Sequence, residues 1–172
     1  MPNWCSNKVS LRHDDPGMFE KLYNAVVGGR CLFGSLWPCP EELLEEPQSK
    51  PPEYYVEKYG HKDWYSWRIH NWGIKWDISL QGVAKHCLTS NTLTFRFESP
   101  WSPPIEGYEK LISLGFSVEA MYYEPGCTFA GTYKDGDHKS HQYTRAEGWV
   151  PPMSDKLKEE FDIDEDLYAD EE

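Results

Sequence analysis

Four stretches of the chain alternate apolar and polar residues, and a period of two is the mark of a strand buried on one side only. From Asn3 to Arg12, Cys5, Asn7, Val9 and Leu11 share one face, while Trp4, Ser6, Lys8, Ser10 and Arg12 share the other. After Gly73, the residues Ile74, Trp76, Ile78 and Leu80 alternate with Lys75, Asp77 and Ser79. Leu93, Phe95 and Phe97 alternate with Thr92, Thr94, Arg96 and Glu98, and Phe116, Val118, Ala120 and Tyr122 form the inward set of a fourth stretch ending at Tyr123. Four strands are the expectation, with Trp76, Phe95, Phe97 and Tyr122 turned toward a core and Trp4 and Tyr123 outward.

Between them lie two segments of helical period. Asp14-Asp15-Pro16 is a capping start, because an acidic side chain accepts from free amides and proline presets φ. Phe19, Leu22, Tyr23 and Val26 follow at helical spacing, and Gly28-Gly29 ends the helix. A second helix is predicted over 104–114, with Ile105, Tyr108, Leu111 and Ile112 inward and Gly115 as its stop. Asp135-Gly136 marks a hairpin turn within 128–143. The order β-α-β-β-α-β predicts an α+β fold: a ferredoxin-like antiparallel sheet with two helices on one face, an insertion and a C-terminal hairpin. We read residues 1–150 as a single domain. Its insertion, at about 41–63, is polar and proline-rich and reads as a surface loop after a short helix from Pro40.

The block WYSWRIHNWGIKWD places Trp64, Trp67, Trp72 and Trp76 close together. Trp64, Trp67, Arg68 and Asn71 fall on one helical face, Gly73 is available as the helix stop, and Trp76 belongs to the inner face of the strand that follows. Arg68, four residues before Trp72, is spaced to stack on its ring.

The formal net charge is −12, but its placement is uneven. Residues 151–172 read as an acidic C-terminal tail, disordered or weakly helical, and the remaining body is only mildly acidic. Phosphate attraction needs local positive charge, so direct nucleic-acid binding is disfavoured. No apolar run reaches membrane-span length and the N-terminus lacks a secretory core, so a cytoplasmic protein with no membrane partner is expected. Cys5, Cys31, Cys39, Cys87 and Cys127 are odd in number and widely spaced, and read as buried free thiols. His138 and His141 sit beside Asp135 and Asp137, but no further ligand has metal spacing, and no metal is assigned. No phosphate loop, dinucleotide glycine pattern or serine-nucleophile elbow occurs, so no cofactor or catalytic residue is assigned.

Polar residues beside aromatics form the candidate binding set: Asn71, Trp72, Lys75, Asp77, Trp101, Tyr123 and Glu124. Lys75 and Asp77 share a strand face, as do Arg96 and Glu98. If the strands pair, the four charges form a cross-strand lattice, either a solvated salt-bridged face or a recognition surface. Trp72 and Trp101 either line a cleft for a flat ligand or plug the core. Trp101, between Pro100 and Pro103, sits in a stiff loop suited to either role.

The strings MPNWCSN, LWPCPEEL, WYSWRIHNWGIKWD, FESPWSPP and YYEPGCTFAG, in this order, resemble the YubB ferredoxin-like family of plasmid and bacteriophage proteins. The resemblance spans residues 1 to 150. It implies the same fold and a mobile-element setting in a bacterial host, and it supplies no reaction. The expected function is therefore a non-enzymatic accessory protein that binds a host protein, such as one that counters a defence system. The alternative is a small-molecule or nucleotide-binding protein using an aromatic and charged cleft. The oligomeric state is left open.

Overall fold

The alternation does build strands in the computed structural model, which describes residues 3–81, 87–89, 91–142 and 153–164. The described elements run β1 (Trp4–Arg12), α1 (Pro16–Val27), α2 (Leu32–Leu36), α3 (Glu41–Leu44), α4 (Pro52–Tyr59), α5 (Trp64–Trp72), β2 (Cys87–Thr89), β3 (Thr92–Pro100), α6 (Ile105–Ser113), β4 (Ser117–Glu124), β5 (Phe129–Lys134), β6 (Asp137–Gln142) and α7 (Asp155–Phe161). The six strands form one antiparallel sheet in the order β2-β3-β1-β4-β5-β6. The fold is α+β. Among the described residues, no helix is long and apolar enough to cross a membrane.

Register keeps all the inward residues on one face. Val9 lies opposite Phe95 and Ala120, and Leu11 opposite Leu93 and Val118. These side chains are buried with Leu22 and Val26 of α1 and with Tyr108 and Leu111 of α6. The caps are those expected: Asp15 Oδ1 accepts from Met18 N at 2.8 Å, and Gly28 closes α1. Asp135-Gly136 makes the β5–β6 turn as predicted, and Asp135 also accepts from the Val118 amide at 2.7 Å.

Three expectations are corrected. First, residues 74–80 are not a sheet strand. Leu32 N donates to Ile78 O and Leu80 N to Arg30 O, so the segment runs beside residues 30–32. The strand beside β3 on that side is β2, Cys87–Thr89, which lies beyond the predicted strand. Ile74, Ile78 and Leu80 are still buried, so the alternation reported burial and not sheet pairing. The four-charge lattice does not form. Asp77 caps α2 through the Phe33 and Gly34 amides, Lys75 lies over Trp76, Arg96 pairs with Glu160, and Ser6 Oγ donates to Glu98 at 2.8 Å.

Second, the 41–63 insertion is not a loose loop. Besides α3, the short helix expected after Pro40, it carries α4, and Leu43 and Tyr55 are fully buried in the main core. Lys58 Nζ reaches Glu42 Oε1 at 2.8 Å, and Trp64 Nε1 donates to Glu46 Oε1 at 2.9 Å, which ties the insertion to α5.

Third, part of the acidic tail is a docked helix. On the sheet face away from α1 and α6, Met121, Tyr123 and Ala130 are buried against Met153, Leu157, Phe161 and Ile163. Ser154 caps α7, its Oγ accepting from Leu157 N at 3.3 Å.

Candidate functional site

The sequence-predicted set is dispersed. Trp72 is 1% exposed and belongs to the core. It lies against Phe33 and Trp67, with the Arg68 guanidinium 4.9 Å from its ring, so the predicted Arg68 stack is present. The same guanidinium is 5.1 Å from Trp64, held between two indoles. No cleft between Trp72 and Trp101 can form, because Trp72 has no exposed face to offer. Asn71 donates back to Trp67 O at 2.9 Å on its own helix.

Both candidate carboxylates hold backbone. Asp77 Oδ1 accepts from Phe33 N at 2.9 Å and Ile78 N at 2.8 Å, and Oδ2 accepts from Gly34 N at 2.7 Å. Burial pushes its carboxyl above the usual range, against the pull of these three amides. Glu124 is 1% exposed and accepts from the Gly126 amide at 2.8 Å and the Cys127 amide at 2.5 Å. It locks the turn between β4 and β5. Tyr123 lies on the opposite sheet face from Trp72, with its ring 6.0 Å from Phe161.

What Trp101 meets is Trp76. Their ring centroids are 5.8 Å apart with planes 23° from parallel, and the rings are 50% and 41% exposed. Trp76 was expected in the core. Its neighbours Ile74 and Ile78 take the buried sites, and Gly73 at φ 74 turns the chain sharply after α5. Side chains rarely adopt such a φ, so glycine suits the position. Lys75 Nζ lies 5.0 Å from the Trp76 ring.

The loop bearing Trp101 is held from several sides. Trp101 N donates to Asn3 O at 2.8 Å, and Ser102 N to Pro100 O at 2.9 Å. Ser99 Oγ donates to Ser102 O at 2.7 Å and accepts from buried Asn7 Nδ2 at 2.8 Å. Trp101 itself has φ 65, a left-handed backbone that costs a residue with a side chain about 1–2 kcal/mol. A half-exposed ring in a strained, braced loop contributes little to the core.

Two concave regions flank this edge. On the outer sheet face a groove of about 830 Å³ is lined by Trp4, Arg96, Glu98, Tyr123 and, from the tail, Glu160 and Phe161. Trp4 is 50% exposed there. On the other face a cleft of about 400 Å³ lies between the start of α6 and the β5–β6 hairpin, with Glu106, Tyr122, Cys127 and His138 among its walls. Tyr122 Oη and His138 Nε2 are 2.7 Å apart, so this histidine is taken up by a tyrosine. Among the described residues, no group of three His, Cys, Asp or Glu side chains is placed to share a metal ion.

Sequence reasoning missed Trp76 and the tail helix. The first carried no signal, because a period of two looks alike in a strand and in an irregular buried segment. The second did: Leu157 and Phe161 lie four residues apart behind the Ser154 cap, and Met153 stands just before it.

No protein-family model matches the chain, and no curated protein matches it. Among solved structures, the chain is similar to the crystal structure of a protein api92 from Yersinia pseudotuberculosis, described with the family model DUF1281. The two are 12% identical, the match covers 89% of this chain and 100% of that one, and the TM-score is 0.39.

Proposed function

We propose that the chain is a non-enzymatic binding module that acts by contact with a protein partner. The observation that carries this reading is the Trp76–Trp101 pair: two half-exposed stacked indoles, one on strained backbone, in a loop braced by hydrogen bonds to Asn3 and to the end of β3. Tryptophan is enriched among the residues that dominate binding energy at interfaces, because it buries a large rigid area at small entropic cost. Lys75 beside Trp76 supplies a polar rim.

The motifs that resemble the YubB family support a plasmid or phage accessory role in a bacterial cytoplasm, with a host protein as partner. The ferredoxin-like plan belongs to the same reading. It is supported by α1 between β1 and β2, α6 between β3 and β4, and the neighbour order β2-β3-β1-β4.

The test is affinity capture from bacterial lysate with the full-length chain and with a Trp76→Ser/Trp101→Gly double variant. A host protein retained by the first and lost by the second is expected. Retention of the same proteins by both chains, or of none by either, refutes the proposal.

The small-molecule reading keeps one support, the cleft holding Tyr122 and His138. A thermal-shift screen of nucleotides and metabolites addresses it, since a ligand stabilises by mass action. A rise in melting temperature abolished by His138→Ala would favour that reading over protein contact.

A further inference from the structure

The outer face of the sheet is covered by this chain's own acidic helix, and among the described residues the cover stops short of Trp4. Glu160 of α7, with its side chain 11% exposed, pairs with both Lys8 and Arg96, residues that lie opposite each other on β1 and β3. Lys156 of the same helix reaches Glu119 of β4 at 3.6 Å. Leu157 and Phe161 cover Met121 and Tyr123 between these two charge contacts. The surface therefore receives an amphipathic helix in one orientation, fixed by opposite charges at two points.

The helix that occupies it is short. Seven residues span about 10 Å, and a helix of that length is marginal in water without tertiary contacts. It ends at Asp162, whose φ of 52 is left-handed. Residues 160–162 stand at the wall of the 830 Å³ groove, which continues past Arg96 and Glu98 to half-exposed Trp4. A longer helix on the same line would fill that groove and cover Trp4, as α7 does not.

We infer that the outer face is a docking site for an acidic amphipathic helix of a partner protein, and that α7 is a built-in occupant which the partner displaces. The partner helix carries an acid where Glu160 stands, apolar residues where Leu157 and Phe161 stand, and a further apolar turn toward Trp4. This surface is separate from the Trp76–Trp101 pair, so either can fail alone.

The probe is a labelled synthetic peptide with the sequence of residues 153–164, Asp162→Ala, and a four-residue Ala-Leu-Leu-Ala extension. Binding to full-length chains is followed by fluorescence anisotropy, with near-ultraviolet circular dichroism as the check of folding. Leu157→Asp removes α7 from the face, and that chain is expected to bind the peptide at least tenfold tighter than the wild-type chain. Adding Lys8→Glu and Arg96→Glu should lower that affinity at least tenfold, while Trp101→Gly should leave it unchanged. If Leu157→Asp loses the wild-type fold, Glu160→Lys takes its place. The inference is overturned if the folded variant binds no peptide, or if binding ignores Lys8 and Arg96. It is overturned equally if neither variant keeps the native spectrum, because α7 is then a fixed part of the core. A wild-type dimer in light scattering that Leu157→Asp abolishes would replace the partner with a second copy of this chain. Preference of the exposed face for a single-stranded oligonucleotide over the peptide would refute a helical partner.

Discussion

Trp101 lies nearly parallel to Trp76, 5.8 Å from it, although the two belong to segments that share no strand pairing. The stack depends on a left-handed backbone at Trp101. Replacement by alanine removes the ring and keeps the strain, whereas glycine removes both. Trp101→Gly is therefore expected to be more stable than Trp101→Ala by about 1 kcal/mol in urea unfolding. Equal or reversed stabilities would mean that the loop relaxes out of this conformation.

Asp77 holds α2 in place through two backbone amides, those of Phe33 and Gly34, and also accepts from Ile78 N in its own segment. In Asp77→Asn one oxygen becomes an amide group that faces the Gly34 N–H, donor against donor. The expected loss is about 1–3 kcal/mol, the cost of an unmatched buried donor. Denaturant unfolding measures it, and an unchanged midpoint would remove Asp77 from its structural role.

Gly107 faces the ring of Phe33, and a Cβ there would lie 2.3 Å from Cζ. Helix propensity alone favours alanine over glycine by about 1 kcal/mol. Overpacking against a fully buried ring costs about 1–3 kcal/mol, so the clash wins and Gly107→Ala is expected to destabilise. Joint replacement with Phe33→Leu should recover part of the loss. A stabilised single variant would contradict the packing of α6 on α2.

Cys5 has no exposed surface, and burial pushes its thiol up to about 12. An unfolded thiol ionises near about 8.5. Between those values the unfolded chain binds fewer protons than the folded one, so this group's contribution to stability falls as pH rises. From pH 8 to 10 the wild-type chain should lose about 2 kcal/mol more than Cys5→Ala. Parallel pH profiles of the two chains would rule this out. Peptide mapping after native alkylation should find Cys31 and Cys127 modified, and Cys5 and Cys39 protected.

Strands β1, β3 and β4, helices α1 and α6, and the hairpin turn were legible because each is set by local chemistry: alternation, an aspartate cap, a glycine stop. Residues 74–80 were misread for a physical reason. Alternating burial needs only that one side of an extended segment face the core, and helices can supply that core as well as a sheet can. Expecting every cysteine to be buried failed for Cys31 and Cys127, whose exposure depends on the turns that carry them.

The candidate site was legible only in part. Trp101 was found in its stiff proline-flanked loop, but with Trp72 as partner, because the sequence reports spacing and not which indole reaches the surface. Asp77 and Glu124 carry the chemistry of a site, yet Glu124 is taken up by the amides of its own turn, and Asp77 by those of α2, whose approach no local pattern encodes.

From its residues alone the chain determined β1, β3, β4, α1, α6 and the β5–β6 turn, and which side of them avoids water, since capping, turn geometry and apolar period act within a few residues. The tertiary structure decided which tryptophans meet in the open, that Asp77 is consumed by the amides of α2, and that an acidic helix lies across the outer sheet face. Those outcomes arise from contacts between residues far apart in the chain, such as Lys8 and Glu160, and are settled only when the whole core closes.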